Sequence, residues 1–205
     1  MEGLELRPLE PGVVRDATAE ALGAACQVVA VVYRAPAEGL LDDLRCGRLA
    51  AVTDALAGWL GIEPPRGPHA PPGDDALHAA HLALFVSRPG GVPAPPYVGL
   101  VRDRELMGPS VRRLRADLEA LGLRPAAEWR ELPDHLAEVA DAVDRLLEHG
   151  RSAAATGMAA AYLAPWFDRF ADAVALHDDG GFYGEITGFL RRVLYEVTVP
   201  TEVTA

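Results

Sequence analysis

The chain has 205 residues, a length that suits one domain with a sizeable core. Half of the residues are hydrophobic but only 6% are aromatic, and the abundance of alanine and leucine favours helices over strands. The formal net charge of −11 argues against binding to a nucleic-acid backbone, which needs clustered positive charge, and would suit a basic partner such as an arginine-bearing peptide.

Apolar residues recur at helical spacing in the first third of the chain. Asp16 can cap a helix that stops before Pro36. A later helix ends at Gly61, a residue typical of the left-handed position that follows a helix. Residues 63–73 (EPPRGPHAPPG) are too rich in proline for regular helix, so we expect a loop that could act as a hinge.

Helical patterns resume after this loop and continue to the end of the chain. A second loop rich in proline and glycine, residues 87–97, interrupts them. The remaining helices are predicted at 74–86, from Pro109 to Gly122, within 131–150, on both sides of Pro165, and at 182–197. We predict an all-α, single-domain bundle of about eight to ten helices over residues 1–205, with a frayed tail at 198–205.

Pro133, Asp134 and His135 stand together where the helix within 131–150 begins. Proline suits the first turn of a helix, and Asp134 would interact favourably with the positive end of the helix dipole. Neighbouring helical residues point about 100° apart, which disfavours an Asp134–His135 catalytic pair. Since a charged imidazole is disfavoured at a helix N-terminus, we expect a neutral His135 that is buried with a partner or placed to contact a ligand.

His78 and His81 are three residues apart, and with Asp134 and His135 they could bind a metal ion. The pattern lacks the glutamate of a metalloprotease motif. The other interpretation is two surface histidines on an acidic helix.

Motifs of nucleophilic catalysis or phosphate binding are absent from the sequence, so no catalytic residue and no cofactor is predicted. Cys26 and Cys46 lie in no C-x-x-C pattern, and we expect both to be buried without a disulfide. The aromatic residues of the C-terminal third are expected in the core: Tyr162, Trp166, Phe167, Phe170, Phe182 and Tyr183. The N-terminus lacks an apolar signal region and no apolar stretch reaches the roughly 20 residues of a membrane span, which predicts a cytoplasmic protein.

Several segments, taken in order, resemble the TorD/DmsD/NarJ-type family of redox-enzyme maturation chaperones. "HLALFVSRPGGVPAPPY" (81–97) is similar to the family's Leu-Phe helix, glycine turn and Pro-Pro-Tyr loop, and "ELPDHLAEVADAVDRLL" (131–147) to its Pro-Asp-His motif. "LMGPSVRRLRADLEALGL" (106–123), "LAPWFDRFADAV" (163–174) and "FYGEITGFL" (182–190) resemble the neighbouring helices. The chain departs from the family at Val98–Gly99, where glutamate and serine are usual.

The resemblance implies an all-helical cytoplasmic chaperone that is not an enzyme. Such a chaperone binds the apo catalytic subunit of a molybdoenzyme of the DMSO-reductase family, often through its twin-arginine signal peptide, until the molybdenum cofactor is inserted. Asp134 and His135 correspond to motif residues implicated in binding that peptide. By the same resemblance, Tyr97 of the Pro-Pro-Tyr loop is also expected to take part in binding.

A twin-arginine peptide needs carboxylates for its guanidiniums and an apolar groove for the segment that follows. Asp134, Glu131 and Glu138 are expected to form an acidic lip beside Pro133. Tyr97, Trp129 and Leu136 are expected to form the apolar wall.

Two other functions remain open on the sequence alone. One is a small metal-dependent helical enzyme that uses His78, His81, Asp134 and His135. The other is a structural helical subunit that stays in a finished complex. A monomer and a dimer that exchanges helices around residues 63–73 are both compatible with the sequence.

Overall fold

The computed structural model describes residues 17–34, 38–86, 91–124 and 132–198. These residues contain ten α-helices and one π-helical turn. In chain order they are α1 (Ala17–Tyr33), α2 (Glu38–Arg45), α3 (Arg48–Leu60), α4 (Asp74–His81), the π-turn (Leu82–Val86), α5 (Val98–Asp103), α6 (Pro109–Ala120), α7 (Leu136–Glu148), α8 (Ser152–Tyr162), α9 (Ala164–His177) and α10 (Phe182–Thr198). The all-α prediction is confirmed.

Helix α1 is the central element of the bundle. Its residues are buried almost without interruption from Ala21 to Tyr33, because apolar side chains cover every face of the helix and not one stripe. Helix α7 packs along it in the opposite direction. Gln27 in the middle of α1 donates a hydrogen bond to Asp144 at 3.3 Å, and Arg34, just after α1, meets Glu138 near the start of α7.

The C-terminal end of α1 inserts into an aromatic cluster. The ring of Tyr33 makes edge contacts with Phe85 of the π-turn at 5.8 Å and with Phe170 of α9 at 5.1 Å. Its hydroxyl is hydrogen bonded to Thr187 of α10 at 2.6 Å, which satisfies both buried polar groups. The six aromatic residues predicted for the core are all buried.

Proline and glycine mark the helix ends as expected. Pro109 and Pro165 lie in the first turns of α6 and α9. Gly61 and Gly122 follow α3 and α6 with φ values of 65° and 73°, conformations that residues with a Cβ rarely adopt.

The structure bears on the expectations for the two cysteines and for the ends of the chain. Thr198, the first residue of the tail that is predicted to fray, is the last residue of α10, and its hydroxyl donates a hydrogen bond to the carbonyl of Leu194. Cys46 is exposed, whereas Cys26 is buried as expected. The remainder of the predicted tail and the cap at Asp16 lie outside the described residues.

The proline-rich loop of residues 63–73 packs against α10. Glu185 accepts a hydrogen bond from the backbone N–H of Gly67 at 2.8 Å and forms an ion pair with Arg66 at 3.1 Å. Pro65 and Pro68 are buried. Use of the loop as a hinge would therefore require these contacts to break.

Within the described residues, no helix combines the length and the apolar character that a bilayer span demands.

Candidate functional site

The Pro-Pro-Tyr loop and the Pro-Asp-His turn meet through main-chain hydrogen bonds. The N–H of Leu136 donates to the carbonyl of Pro96 at 2.8 Å, and the N–H of Val98 donates to the carbonyl of Asp134 at 3.0 Å. Tyr97 and His135 pair between them as an isolated antiparallel bridge. We call residues 96–99 and 133–136 together the loop–turn junction.

Asp134 holds the junction together from inside. Its side chain is fully buried, and its Oδ2 accepts a hydrogen bond from the N–H of Gly99 at 2.9 Å. Gly99 lies in the first turn of α5, whose own N-cap Tyr97 provides no side-chain acceptor. Asp134 therefore satisfies an N-terminal N–H group of α5 that would otherwise be unpaired. Burial raises the pKa of Asp134, while the hydrogen bond from Gly99 opposes that rise.

Glycine is needed at position 99 because a side chain would not fit there, and not because the backbone adopts a positive φ. A Cβ placed on it would lie 2.7 Å from Cγ2 of Val111, 2.8 Å from the carbonyl of Glu105 and 3.1 Å from Oδ2 of Asp134. The absence of a side chain thus lets α5, α6 and the Asp134 turn approach one another.

His135 is the N-cap of α7. Its Nδ1 accepts a hydrogen bond from the N–H of Ala137 at 3.2 Å, and its side chain is buried. An accepting Nδ1 must carry its lone pair, so this contact requires a neutral ring with the proton on Nε2. Of the two alternatives for His135, the structure shows burial with a partner. The helix therefore begins at Leu136, and Pro133 belongs to the preceding turn and not to the first helical turn as expected.

Tyr97 links the buried junction to the surface. Its ring packs edge-on against the imidazole of His135 at 5.2 Å, and the residue is half-buried. An aromatic ring fixed on one face and accessible on another is suited to contact an apolar segment of a ligand.

In the first two turns of α7, Glu138 and Asp141 both form ion pairs with Arg34. Nη2 of Arg34 lies 2.5 Å from Oδ2 of Asp141 and 3.4 Å from Oε1 of Glu138. The side chains of Arg34, Glu138 and Asp141 are 27%, 16% and 14% exposed. Burial, followed by the charge of Asp141, raises the pKa of Glu138 to about 7, although Arg34 and Arg145 oppose the change. Burial also raises the pKa of Asp141.

The four residues of the proposed metal site do not converge. His78 is exposed and its Nδ1 bonds to the carbonyl of Asp74 in its own helix. His81 points inward, with Nδ1 3.3 Å from the hydroxyl of Tyr183. Burial is the main cause that lowers the pKa of His81 to about 4. Within the ranges that the structure describes, no group of three or more potential ligands could hold a metal ion.

The structure changes the expected roles of several predicted site residues. Asp134 is fully buried and cannot serve as a solvent-facing acidic lip, because its carboxylate is turned toward α5. Leu136 is also fully buried, and so contributes to the core and not to an apolar wall. Pro133 is buried, whereas Tyr97 and Glu138 remain partly exposed. Trp129 and Glu131 lie outside the described residues.

Sequence reasoning assigned no role in the site to Gly99, Arg34 or Asp141. A glycine two residues after the tyrosine of a Pro-Pro-Tyr loop is a usable signal, since glycine often marks close backbone approach. Arg34 and Asp141 are 107 positions apart, and no local pattern connects them.

A groove of about 720 Å³ lies elsewhere, between α3, α9 and α10, with Trp59 and Tyr195 in its lining. None of the predicted site residues that the structure describes line it. The loop–turn junction and this groove are therefore separate features of the structure.

Comparison with known proteins identifies the family. The family model described as nitrate reductase delta subunit matches residues 47–172, more than half of the chain and a span that includes the whole junction. The chain belongs to this family. Its members are redox-enzyme maturation chaperones of the NarJ/TorD type and not catalytic enzymes. The resemblance derived from the ordered motifs is confirmed.

A solved structure supports the same fold. The chain is similar to a protein from Archaeoglobus fulgidus whose crystal structure is described as that of a candidate redox enzyme maturation protein, with 18% sequence identity and a TM-score of 0.63. The similarity covers 92% of this chain and 99% of the other. No curated protein matches the chain.

Proposed function

We propose that this redox-enzyme maturation chaperone binds the apo catalytic subunit of a molybdoenzyme of the DMSO-reductase family, through an N-terminal segment that carries a twin-arginine signal. The complex holds the subunit until the molybdenum cofactor is inserted, before export or membrane docking. This activity takes place in the cytoplasm, where cofactor insertion precedes export. In this role the chaperone uses no cofactor of its own and catalyses no reaction.

The observation that carries the proposal is the architecture of the loop–turn junction. Two segments that resemble family motifs converge there through paired backbone hydrogen bonds, although they are distant in sequence. The junction fixes Tyr97 at the surface through its contact with His135. It also fixes the start of α7, which carries the partly exposed Glu138.

In this proposal the predicted residues have two kinds of role. Tyr97 and Glu138 contact the client, with Trp129 and Glu131 as further predicted contacts. The buried residues hold the backbone that carries these contacts in position; they are Pro133, Asp134, His135 and Leu136. A carboxylate at the start of α7 and an aromatic face beside it match a peptide in which guanidiniums precede an apolar segment.

The net charge of −11 supports a basic client segment. Attraction between the acidic chaperone and a basic peptide speeds their encounter, and added salt screens it. Residues 1–205 are proposed to act as one domain, either as a monomer or as a dimer that exchanges helices.

Binding of synthetic peptides tests the proposal. N-terminal peptides from each molybdoenzyme catalytic subunit encoded in the same genome are titrated into the chaperone and followed by calorimetry. We expect one peptide to bind, and a version with both signal arginines replaced by lysine to bind more weakly. Equal affinity for the arginine and lysine peptides would contradict recognition of the twin-arginine pair, because lysine cannot form the bidentate contact.

A further inference from the structure

The surface formed by α5, α6 and the loop between them is basic, although the chain as a whole is acidic. Residues 102–115 contain five arginines against two acids, in a chain with a net charge of −11. None of these arginines forms an ion pair with a carboxylate of the described residues. All five are exposed; they are Arg102, Arg104, Arg112, Arg113 and Arg115.

The two acids of this stretch do not neutralise the arginines. Asp103 is partly buried, and its carboxylate accepts hydrogen bonds from the N–H of Ser110 at 2.7 Å and from the hydroxyl of Ser110 at 2.8 Å. Asp103 therefore serves as a cap for the first turn of α6, whose own N-cap Gly108 has no side chain. Glu105 is exposed and forms no ion pair with the described residues. A surplus of positive charge remains at the surface.

Two large apolar side chains lie on the loop between α5 and α6, between the two groups of arginines. Leu106 is 47% exposed and Met107 is 39% exposed. The loop is held in place, because Arg112 donates a hydrogen bond to the carbonyl of Met107 at 3.1 Å and Asp103 closes its base through Ser110. Methionine and arginine are both enriched in protein interfaces. The loop thus presents apolar side chains in a fixed position for contact.

The arginines flank this loop on both sides. The guanidinium of Arg102 donates to the carbonyl of Ala161 at the end of α8, at 3.2 Å. The charges of Arg102 and Arg113 both reach Tyr162, the next residue of α8, whereas the charge of Arg115 reaches Asp134 of the loop–turn junction. The basic surface therefore extends from α8 to the edge of the junction.

The chemistry of this surface selects an acidic polypeptide as its partner. Unpaired guanidiniums bind carboxylates and phosphates. A single-stranded nucleic acid needs aromatic side chains on which its bases stack, and residues 98–120 contain no aromatic residue. A flat anionic bilayer would bring the acidic remainder of the chain close to negative headgroups, whereas a polypeptide segment contacts the basic surface alone.

We propose that the five arginines, together with Leu106 and Met107, form a docking surface for an acidic protein segment that carries apolar side chains. We call this surface the basic face. Carboxylates of the partner pair with the guanidiniums, and its apolar side chains cover the exposed loop. The basic face repels a twin-arginine segment, so it is separate from the surface proposed for that segment and does not depend on the identity of the client.

Peptide titration tests the basic face on the full chain. The probe is a short fluorescent peptide of Glu-Leu-Glu repeats, with Glu-Ser-Glu repeats as the control of equal charge and Lys-Leu-Lys repeats as the control of opposite charge. We expect the Glu-Leu-Glu peptide to bind most tightly, with an affinity that falls as salt is added. No binding of this peptide, or equal binding of the lysine peptide, would overturn the proposal.

Charge reversal locates the bound peptide. Arg113→Glu/Arg115→Glu changes two residues whose side chains form no hydrogen bond with the part of the chain that the structure describes. We expect its affinity for the Glu-Leu-Glu peptide to fall by about tenfold or more, because two attractive charges become repulsive. Arg169→Glu/Arg192→Glu is the matched control, since both residues are exposed on α9 and α10 and the change in net charge is the same. An equal loss in the two variants would show a general effect of charge and overturn the docking surface.

A second variant tests the apolar part of the basic face. Leu106→Ser/Met107→Ser changes two exposed side chains and leaves all five arginines in place. We expect it to bind the Glu-Leu-Glu peptide no more tightly than the Glu-Ser-Glu peptide, because the apolar contact is lost. A variant that keeps the wild-type preference for leucine would contradict the contact with this loop.

Other partners give different results. Co-sedimentation with vesicles of phosphatidylglycerol and phosphatidylethanolamine tests a bilayer, and sedimentation velocity tests a second copy of the chain. Vesicle binding or a dimer that is abolished in Arg113→Glu/Arg115→Glu, together with no binding of the acidic peptide, would overturn the proposal. Failure of the twin-arginine peptides to bind contradicts the proposed function alone, because the basic face is tested with acidic probes.

Discussion

The carboxylate of Asp134 accepts a hydrogen bond from the N–H of Gly99 at 2.9 Å, across a separation of 35 positions in the sequence. This contact joins the turn before α7 to the first turn of α5. Asp134 has no exposed surface, and in the proposed function it acts on binding through the backbone that it fixes beneath Tyr97.

Replacement of Asp134 tests this positioning role. Asp134→Ala leaves the Gly99 N–H without its acceptor, and we expect a loss of about 1.5–3 kcal/mol in the free energy of unfolding. Peptide affinity should fall by about 1–3 kcal/mol, because Tyr97 loses its fixed position. Denaturant unfolding and calorimetry measure the two effects. Asp134→Asn keeps an acceptor and should lose less stability and less affinity than Asp134→Ala. An alanine variant as stable as the wild type would show that the hydrogen bond to Gly99 does not stabilise the junction.

Substitution of Gly99 tests the close packing at the junction. In Gly99→Ala the added Cβ lies within 2.8 Å of Val111 and of the Glu105 carbonyl, and such overpacking typically costs about 1–3 kcal/mol. Gly188→Ala in α10 is the control, since nothing lies within 4 Å of its Cβ position. That helical substitution should stabilise the protein by up to about 1 kcal/mol. Thermal unfolding of both variants gives the comparison, and similar behaviour of the two would rule out a packing requirement at Gly99.

The pKa of Glu138 predicts a pH dependence of stability. Burial and Asp141 raise this pKa from 4.5 to about 7, so the native state binds the proton more tightly than the unfolded state. The stability that this proton provides is present below pH 4.5 and is lost as the pH rises through 7.

Glu138→Gln removes that titration. We expect the wild type to lose about 1–2 kcal/mol more stability than the variant between pH 5 and pH 8, a figure reduced for partial solvent screening. Urea unfolding at several pH values gives both curves. Parallel curves over this range would mean that Glu138 titrates at its ordinary pKa.

The pKa of His81 predicts the opposite dependence in acid. Burial lowers it from 6.5 to about 4, so the unfolded state binds the proton more tightly. The corresponding stability is present above pH 6.5 and is lost as the pH falls through 4. We expect the His81 imidazole signals in NMR spectra to stay in the neutral form down to about pH 5. A midpoint near 6.5 would show that the ring is not buried beside Tyr183.

The sequence predicted the elements that are long and strongly patterned. Helix α7 was visible from its apolar stripe, and the ends of α3, α6 and α9 from glycine and proline. Helix α5 was missed, because its 6 residues are too few for a periodic pattern to emerge. The sequence predicts the π-turn as a continuation of α4, because the apolar run Leu82–Val86 is compatible with either helix type.

The candidate site was predictable only as a set of segments. The motif residues Tyr97, Asp134 and His135 could be named from the sequence, but the direction of each side chain could not. Asp134 is predicted at the surface because a twin-arginine peptide needs carboxylates for its guanidiniums, and the structure shows that a backbone donor from a distant segment makes its burial tolerable. Such pairings depend on tertiary contacts that local patterns do not encode.

The molybdenum content of the captured client tests the central claim most directly. The tagged chaperone is purified from the native host with the pathway induced, and the bound catalytic subunit is compared with the mature enzyme for molybdenum per polypeptide. The account predicts a single bound molybdoenzyme subunit that contains essentially no molybdenum. A stoichiometric complex with the fully loaded subunit would contradict it, and would identify the protein as a permanent structural component.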